Sequence, residues 1–137
     1  MKLGVCLSFD GNCKQAVEFY AKVFGATDVV MMPFGDMPPM PGRQELKEED
    51  KAKISHAEIT MLGQKVIFSD LLGAEHVSGT NMVLSLTSGD EGEIRKTFER
   101  LSEGATIQVP LGKTFFSPAF GTLTDKFGTK WHLTAQN

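Results

Sequence analysis

Three polar side chains fall on one side of a predicted β-strand near the middle of the chain. The stretch from Ile54 to Asp70 alternates polar and apolar residues, turns once, and alternates again. Because successive side chains on a strand point to opposite faces, His56, Glu58 and Thr60 share one face. Histidine suits proton transfer near neutral pH, and a histidine beside a carboxylate can also orient a ligand. This face is therefore the candidate functional surface of the chain.

The residues alone leave simpler interpretations of this face open. A histidine near a carboxylate is often structural and hydrogen-bonded to its neighbours. The polar face of an antiparallel sheet often simply meets water. The sequence shows no Ser–His–Asp set, P-loop, Cys–His pair or glycine-rich nucleotide fingerprint. A binding surface, an acid–base site and a solvated face all remain compatible with the pattern.

The composition indicates an ordinary soluble globular protein. The length of 137 residues suits one domain or two small halves, and 41% hydrophobic and 23% charged residues are typical values. A net charge of −3 without a basic stripe argues against a nucleic-acid partner. No apolar run reaches the roughly 18 residues of a membrane helix, and the N-terminus does not resemble a signal peptide. Cys6 and Cys13 form no CxxC pair, so we expect a cytoplasmic protein.

The first half of the chain predicts a strand, a helix and three further strands. Alternation predicts a strand over residues 3–9, and apolar residues at helical spacing predict a helix over Lys14–Phe24. Asp10 or Asn12 is able to cap this helix with its side chain. A β-rich stretch over Thr27–Phe34 and the hairpin described above complete the half.

The second half repeats this order of elements. A strand around Met82 is followed by a helix predicted over Glu91–Ser102, which Asp90 and Glu93 would begin as a capping box. The sequence GATDVVMMPF of the first half is echoed by GATIQVPL, and GQKVIFS by GTKWHLT. The remaining predicted strands cover residues 105–111, 115–124 with an interruption near Pro118, and 130–134.

These ordered matches predict an α+β fold of two tandem βαβββ modules. Module 1 is expected over about residues 1–70, a linker over 71–80 and module 2 over 81–137. One set of alternating residues should pack against the helices: Val5, Leu7, Phe9, Ala57, Ile59, Met61, Val66, Phe68, Met82, Leu84, Leu86, Trp131 and Leu133.

Several motifs resemble the PhnB-like branch of the glyoxalase, bleomycin-resistance and extradiol-dioxygenase superfamily, also called vicinal oxygen chelate proteins. They read FGDMPPMPG at 34–42, HAEI at 56–59 and KTFFSPAFGTLTDKFGTKW at 113–131. The resemblance spans nearly the whole chain and implies a mixed sheet that curls around a cavity, usually in a homodimer. On such a sheet the polar face would line a pocket for a small molecule. The expected ligand-binding residues are Ser8, His56, Glu58, Thr60, Asn81, Ser85 and His132.

A proline-rich segment precedes the hairpin and continues to Lys53. Its prolines exclude a helix and a central strand. A connection of this length is typical of a lid, a binding loop or a mobile exposed segment. If it covers a cavity, Phe34, Met37 and Met40 are the expected lid residues.

The resemblance also implies where a metal would bind. In the metal-using relatives, four histidine or glutamate ligands occupy positions that correspond here to Gly4, Glu58, Asn81 and His132. Gly4 has no ligand atom, and Asn81 offers only a neutral amide oxygen. If an ion binds at all, its ligands would be Glu58, His132 and His56.

We therefore expect a small-molecule binding protein without a family-type metal site and without another cofactor. The alternative is a metal-dependent lyase, isomerase or dioxygenase of the superfamily. A third hypothesis is a protein without a small-molecule role, whose polar face is a solvated surface. The expected partners are an unidentified small molecule and a second copy of the chain, with no nucleic acid and no membrane.

Overall fold

The computed structural model describes residues 1–38, 41–42 and 45–137. The chain divides into two units, Met1–His76 and Val77–Asn137. Each unit contains one α-helix and a four-stranded mixed sheet, in the chain order strand, helix, strand, strand, strand. The predicted α+β fold of two tandem βαβββ modules is confirmed.

The first unit has the strand order β1-β4-β3-β2. Strand β1 is parallel to β4, whereas β3 is antiparallel to both β4 and β2. Two short 3₁₀ helices, Phe34–Asp36 and Glu48–Asp50, lie between β2 and β3. The bounds are β1 Val5–Phe9, α1 Cys13–Phe24, β2 Val30–Pro33, β3 Ile54–Met61 and β4 Gln64–Asp70.

Helix α1 buries its apolar stripe against β3 and β4. The Tyr20 ring stacks on the Phe68 ring at 5.8 Å, and Phe68 stacks on Phe9 at 6.1 Å. Gly25 ends the helix in the left-handed conformation, at a φ of 65°, which glycine adopts without steric cost. The predicted helix and its stop signal are both confirmed.

The start of α1 differs from the prediction. Asn12 occupies the N-cap position, but its side chain makes no capping hydrogen bond. Instead the buried carboxylate of Asp70, 57 residues from Cys13, accepts hydrogen bonds from Gly11 N at 2.9 Å and Cys13 N at 3.0 Å. A cap from a distant strand leaves no local sequence pattern. Burial and the nearby Asp70 charge raise the pKa of the Cys13 thiol to about 12.

The second unit repeats this topology with the strand order β5-β8-β7-β6. Strand β5 is parallel to β8, and β7 is antiparallel to β8 and β6. Among the described residues, no helix is long and apolar enough to cross a membrane. The bounds are β5 Leu84–Ser88, α2 Glu91–Leu101, β6 Thr106–Gly112, β7 Phe120–Thr124 and β8 Lys130–Ala135.

Helix α2 packs against β5 and β8. Trp131 and Leu133 on β8 are buried, as predicted, and the Trp131 indole donates a hydrogen bond to Asp125 Oδ2 at 2.9 Å. Met82 was expected on the same buried face, but it precedes β5 and is 73% exposed. Alternation alone did not show that the strand begins only at Leu84.

The start of α2 is a modified capping box. Asp90 Oδ1 accepts from Glu93 N at 3.1 Å, as predicted. The second bond of a capping box, from Asp90 N to the Glu93 carboxylate, is not made directly. Ser88 Oγ accepts from Asp90 N at 3.0 Å and donates to Glu93 Oε2 at 2.6 Å, so its hydroxyl connects the two halves of the box.

Candidate functional site

The face of each sheet opposite its helix is called here the helix-free face. In the first unit, strand register places Cys6, Ile67, Glu58 and Val30 in one row across all four strands. His56 lies one row further along β3 and is paired with Met32 of β2. The alternation of the sequence thus predicted correctly that His56 and Glu58 share a face.

The Glu58 carboxylate contacts two side chains on this face, those of His56 and Lys65. Its Oε1 lies 3.0 Å from His56 Nε2, and its Oε2 lies 2.9 Å from Lys65 Nζ. With the proton on Nε2, His56 donates the first of these hydrogen bonds. The hydrogen bond from His56, and then that from Lys65, hold the pKa of the Glu58 carboxyl below its usual range.

This arrangement favours a fixed hydrogen-bonding surface. Glu58 stays ionised at neutral pH, so it is an acceptor and not a proton donor there. Each of its oxygens keeps a lone pair for a ligand, because an ionised carboxylate accepts about four hydrogen bonds. Lys65 was not predicted as part of the site. It lies across the hairpin, diagonal to Glu58, and only the strand register shows that contact.

Thr60 and Ser8 lie on the same face but make different contacts. Thr60 N donates to Asp28 Oδ1 at 3.4 Å. Hydrogen bonding from Thr60 holds the pKa of Asp28 below its usual range. Ser8 has an exposed side chain, and its carbonyl accepts a 2.9 Å hydrogen bond from His76 Nε2. His76 thereby ties the segment after β4 to the edge strand β1.

The second unit carries two of the predicted site residues on neighbouring strands. Ser85 of β5 pairs with His132 of β8, which also pairs with Thr122 of β7. The Phe120 ring packs edge-on against the His132 ring at 5.9 Å. Asn81, the third predicted residue of this unit, is exposed and precedes β5.

Two backbone hydrogen bonds join the two ends of the segment between β2 and β3. Phe34 N donates to Lys53 O at 2.8 Å, and Gly35 N donates to Lys51 O at 2.9 Å. Of the expected lid residues, Phe34 is buried and Met37 is half-buried, whereas Met40 lies outside the described residues. A gating motion of this segment stays a prediction.

A cavity of about 670 Å³ opens in the first unit beside this segment. Apolar side chains, two serine hydroxyls and four charged side chains line it: Phe34, Met37, Leu46, Leu71 and Leu72, then Ser55 and Ser69, then Glu45, Lys47, Asp50 and Asp70. Of the predicted ligand-binding and lid residues that the structure describes, only Phe34 and Met37 line it.

Ser55, at the start of β3, lines the cavity although the sequence analysis did not single it out. The pairing of β2 with β3 shifts register between Met32 and Pro33, next to the start of β3. Such a bulge re-aims nearby side chains. Pro33, which lies in the strand predicted over Thr27–Phe34, is the sequence feature that indicates this irregularity.

The metal positions implied by the resemblance do not form a family-type donor set. Gly4 and Asn81 lie outside the strands and lack strong donors, and Glu58 already bonds Lys65 and His56. Among the residues that the structure describes, no group of three histidine, cysteine or acidic side chains is placed to hold a metal ion. Two of these four positions therefore lack the donors that a family-type transition-metal site uses.

Two tandem βαβββ modules are the fold of glyoxalase-like proteins. The family model described as 3-demethylubiquinone-9 3-methyltransferase matches residues 1–134. Protein YjdN of Escherichia coli K12 is 30% identical over 140 residues, which cover 97% of this chain and 94% of YjdN. The chain therefore belongs to this family, the PhnB-like branch of the vicinal oxygen chelate superfamily.

Solved structures agree with this assignment. Protein PA1353 from Pseudomonas aeruginosa has a TM-score of 0.83 at 31% identity, and the match covers 98% of each chain. The PhnB protein from Bacillus cereus has a TM-score of 0.76 at 28% identity, covering 98% of this chain and 99% of the other. A glyoxylase, bleomycin-resistance and dioxygenase domain from Frankia shares the fold, with a TM-score of 0.63 at 14% identity, covering 100% of this chain and 98% of that domain.

Proposed function

We propose that this protein binds a small organic molecule and does so without a metal at the family-type positions. The observation that carries the proposal is the cavity of about 670 Å³ in the first unit. Ligand sites typically have volumes of about 300–1,000 Å³, with apolar walls and a few polar groups that fix orientation. This cavity has both kinds of lining.

The lining suggests the kind of ligand. Phe34, Met37 and Leu46 offer an apolar surface, and methionine adapts its shape to an irregular partner. Ser55 and Ser69 are small and can donate or accept hydrogen bonds. Glu45, Lys47 and Asp50 also line the cavity, so the lining fits a compact molecule with an apolar body and polar or charged substituents.

The state of Glu58 supports metal-free binding. A metal ion at this carboxylate would compete with the Lys65 ammonium, which already lies 2.9 Å from Oε2. Gly4 and Asn81 would leave two of the four family positions without strong donors, and water would have to replace them. Methyl transfer is not part of the proposal, because the sequence contains no glycine-rich fingerprint for a nucleotide-containing methyl donor.

Native mass spectrometry tests the metal-free part of the proposal. The purified chain, before and after dialysis against a chelator, should show no stoichiometric zinc, manganese, nickel or iron. A retained stoichiometric metal that Glu58→Gln abolishes would instead favour the alternative, a metal-dependent lyase, isomerase or dioxygenase.

A thermal-shift screen of small organic molecules tests the binding part. Ligands found with the wild-type chain should lose most of their effect in Ser69→Phe, because the new ring occupies the cavity. Thr87→Phe, at an exposed strand position of the second unit, is the matched control and should keep the effect. Ligands unaffected by Ser69→Phe would contradict the cavity as the site.

A further inference from the structure

The two sheets carry equivalent lysines in different electrostatic surroundings. Lys65 of β4 pairs with Thr60 of β3, and Lys130 of β8 pairs with Thr124 of β7. In the first unit, Glu58 precedes Thr60 by two residues on β3, so it lies in the next row of the sheet, diagonal to Lys65. In the second unit, the same place is occupied by Thr122.

Because Thr122 stands where the first unit has Glu58, Lys130 has no carboxylate partner among the described residues. Lys65 Nζ is neutralised by Glu58 at 2.9 Å. Lys130 Nζ instead donates to the neutral Thr124 hydroxyl at 3.3 Å and belongs to no ion pair in the described part of the chain. Asp125, five residues before Lys130, is buried, and its carboxylate accepts hydrogen bonds from the Trp131 indole and two backbone N–H groups.

Several hydrogen-bond donors converge around Lys130. Gln108 Nε2 donates to the same Thr124 oxygen at 3.0 Å. This oxygen accepts from two nitrogens, so the Thr124 hydroxyl keeps its own hydrogen available as a donor. His132 follows Lys130 by two residues on the same face of β8 and has an exposed side chain. None of β5, β6, β7 and β8 contains an aspartate or a glutamate.

We propose that this surface of the second unit binds an oxyanion, the carboxylate or phosphoryl group of a small molecule. Lys130 supplies the charge, Thr124 and Gln108 supply hydrogen bonds, and His132 adds a further donor. Hydrogen bonds between ionised partners are about twice as strong as neutral ones, so Lys130 carries most of the affinity. The site lies in the second unit and does not depend on the cavity of the first unit.

Amide chemical-shift mapping of the full chain tests the site. The ¹H–¹⁵N spectrum is recorded during titration with inorganic phosphate and, separately, with acetate, at constant ionic strength maintained with sodium chloride. The expected result is a saturable shift at Gln108, Thr124 and Lys130. Stronger binding of phosphate identifies a phosphoryl ligand, and stronger binding of acetate identifies a carboxylate.

Two lysine variants provide a matched comparison. Lys130→Gln should weaken anion binding by about tenfold or more, since it removes the charge-assisted bond. Lys65→Gln removes the equivalent lysine of the first unit and should leave the affinity unchanged. Equal losses in both variants would show a general charge effect and overturn the proposal.

An exchange of the two differing residues sharpens the test. Thr122→Glu gives Lys130 the partner that Lys65 has and should abolish the response of the second unit. Glu58→Thr releases Lys65 and should create a new anion response in the first unit. No saturable shift with either anion in the wild-type chain would refute the oxyanion site, even if the thermal-shift screen identifies ligands for the cavity.

Discussion

Asp70 and Glu58 are both carboxylates on the first sheet, but their surroundings give them different roles. Asp70 is 4% exposed and accepts hydrogen bonds from three backbone N–H groups, those of Gly11, Cys13 and Ile54. It thereby joins the start of α1 to the start of β3. Glu58 is more exposed and contacts two side chains instead. Exposed ion pairs contribute little to stability, so the role of Glu58 lies in positioning charge.

The first prediction concerns Asp70. Asp70→Asn should lower the free energy of unfolding by about 2–3 kcal/mol, because an amide presents an NH₂ group to N–H donors that the carboxylate accepted. Urea denaturation measures this change. Asp10→Asn makes the same chemical substitution at an exposed neighbouring position and should cost far less. Equal effects of the two variants would contradict the proposed role of Asp70.

The second prediction concerns the protonation of Glu58. Its lowered pKa means that the folded state favours the ionised form, so the stabilisation is present above the ordinary pKa of 4.5 and is lost as pH falls through the lower folded value. A ¹³C carboxyl titration should find its midpoint below that of unpaired glutamates. His56→Gln and Lys65→Gln should each raise the titration midpoint of Glu58. An unchanged midpoint in both variants would show that the contacts do not persist in solution.

The sequence predicted the candidate site only where neighbours are close in the chain. The His56–Glu58 pair followed from alternation on one strand, and the structure shows the 3.0 Å contact. Lys65 and Asp70 were missed because their contacts depend on the register of strands and on a helix start far away in sequence. These relations have no local composition signal.

At the level of elements, the start of α2 offers the clearest test. Ser88 connects the two halves of the capping interaction between Asp90 and Glu93. Asp90→Ala should lower the free energy of unfolding by about 1 kcal/mol, a typical value for a lost N-cap. Ser88→Ala should cost a similar amount. Because both act through one network, the double variant should cost less than the two single losses together. If urea denaturation shows that the two single losses of unfolding free energy add up to the loss of the double variant, the network is contradicted.

Helix bounds were predicted more accurately than strand bounds, for a physical reason. Gly25 and Asp90 are strong local signals for the end of α1 and the start of α2. The strand predicted over 115–124 with an interruption near Pro118 begins only after that interruption, at Phe120. Before it, Ser117 Oγ donates to Ala135 O at 2.6 Å and holds a turn that also involves Thr114. Hydrogen bonds of this kind depend on the tertiary structure, which alternation does not report.

At the level of the whole molecule, the repeat preserves geometry while the chemistry diverges. The rows Cys6–Ile67–Glu58 and Ser85–His132–Thr122 occupy equivalent places in their sheets. Each module therefore has the same backbone framework with different polar groups on it. A duplicated fold can in this way present one face with an internally paired carboxylate and another without acidic groups.

The exposed aromatic residues of the second unit lead to a prediction about assembly. Phe115 is 100% exposed and Phe116 is 45% exposed, and their rings contact each other at 5.1 Å. Phe116 also contacts the Phe120 ring at 5.0 Å, so the three form a continuous aromatic patch. Contiguous exposed apolar patches commonly mark interaction surfaces. We propose that this patch is covered by a second copy of the chain in a homodimer.

Light scattering coupled to size-exclusion chromatography should therefore give twice the 15.0 kDa chain mass at micromolar concentration. The double variant Phe115→Ser, Phe116→Ser should elute as a monomer with an unchanged circular dichroism spectrum, because both side chains are exposed in the single chain and their removal leaves the core intact. Val77→Ser removes another exposed apolar side chain, outside the patch, and should remain dimeric. A monomeric wild-type chain would refute the homodimer, and a dimer unaffected by the double variant would place the interface elsewhere on the surface.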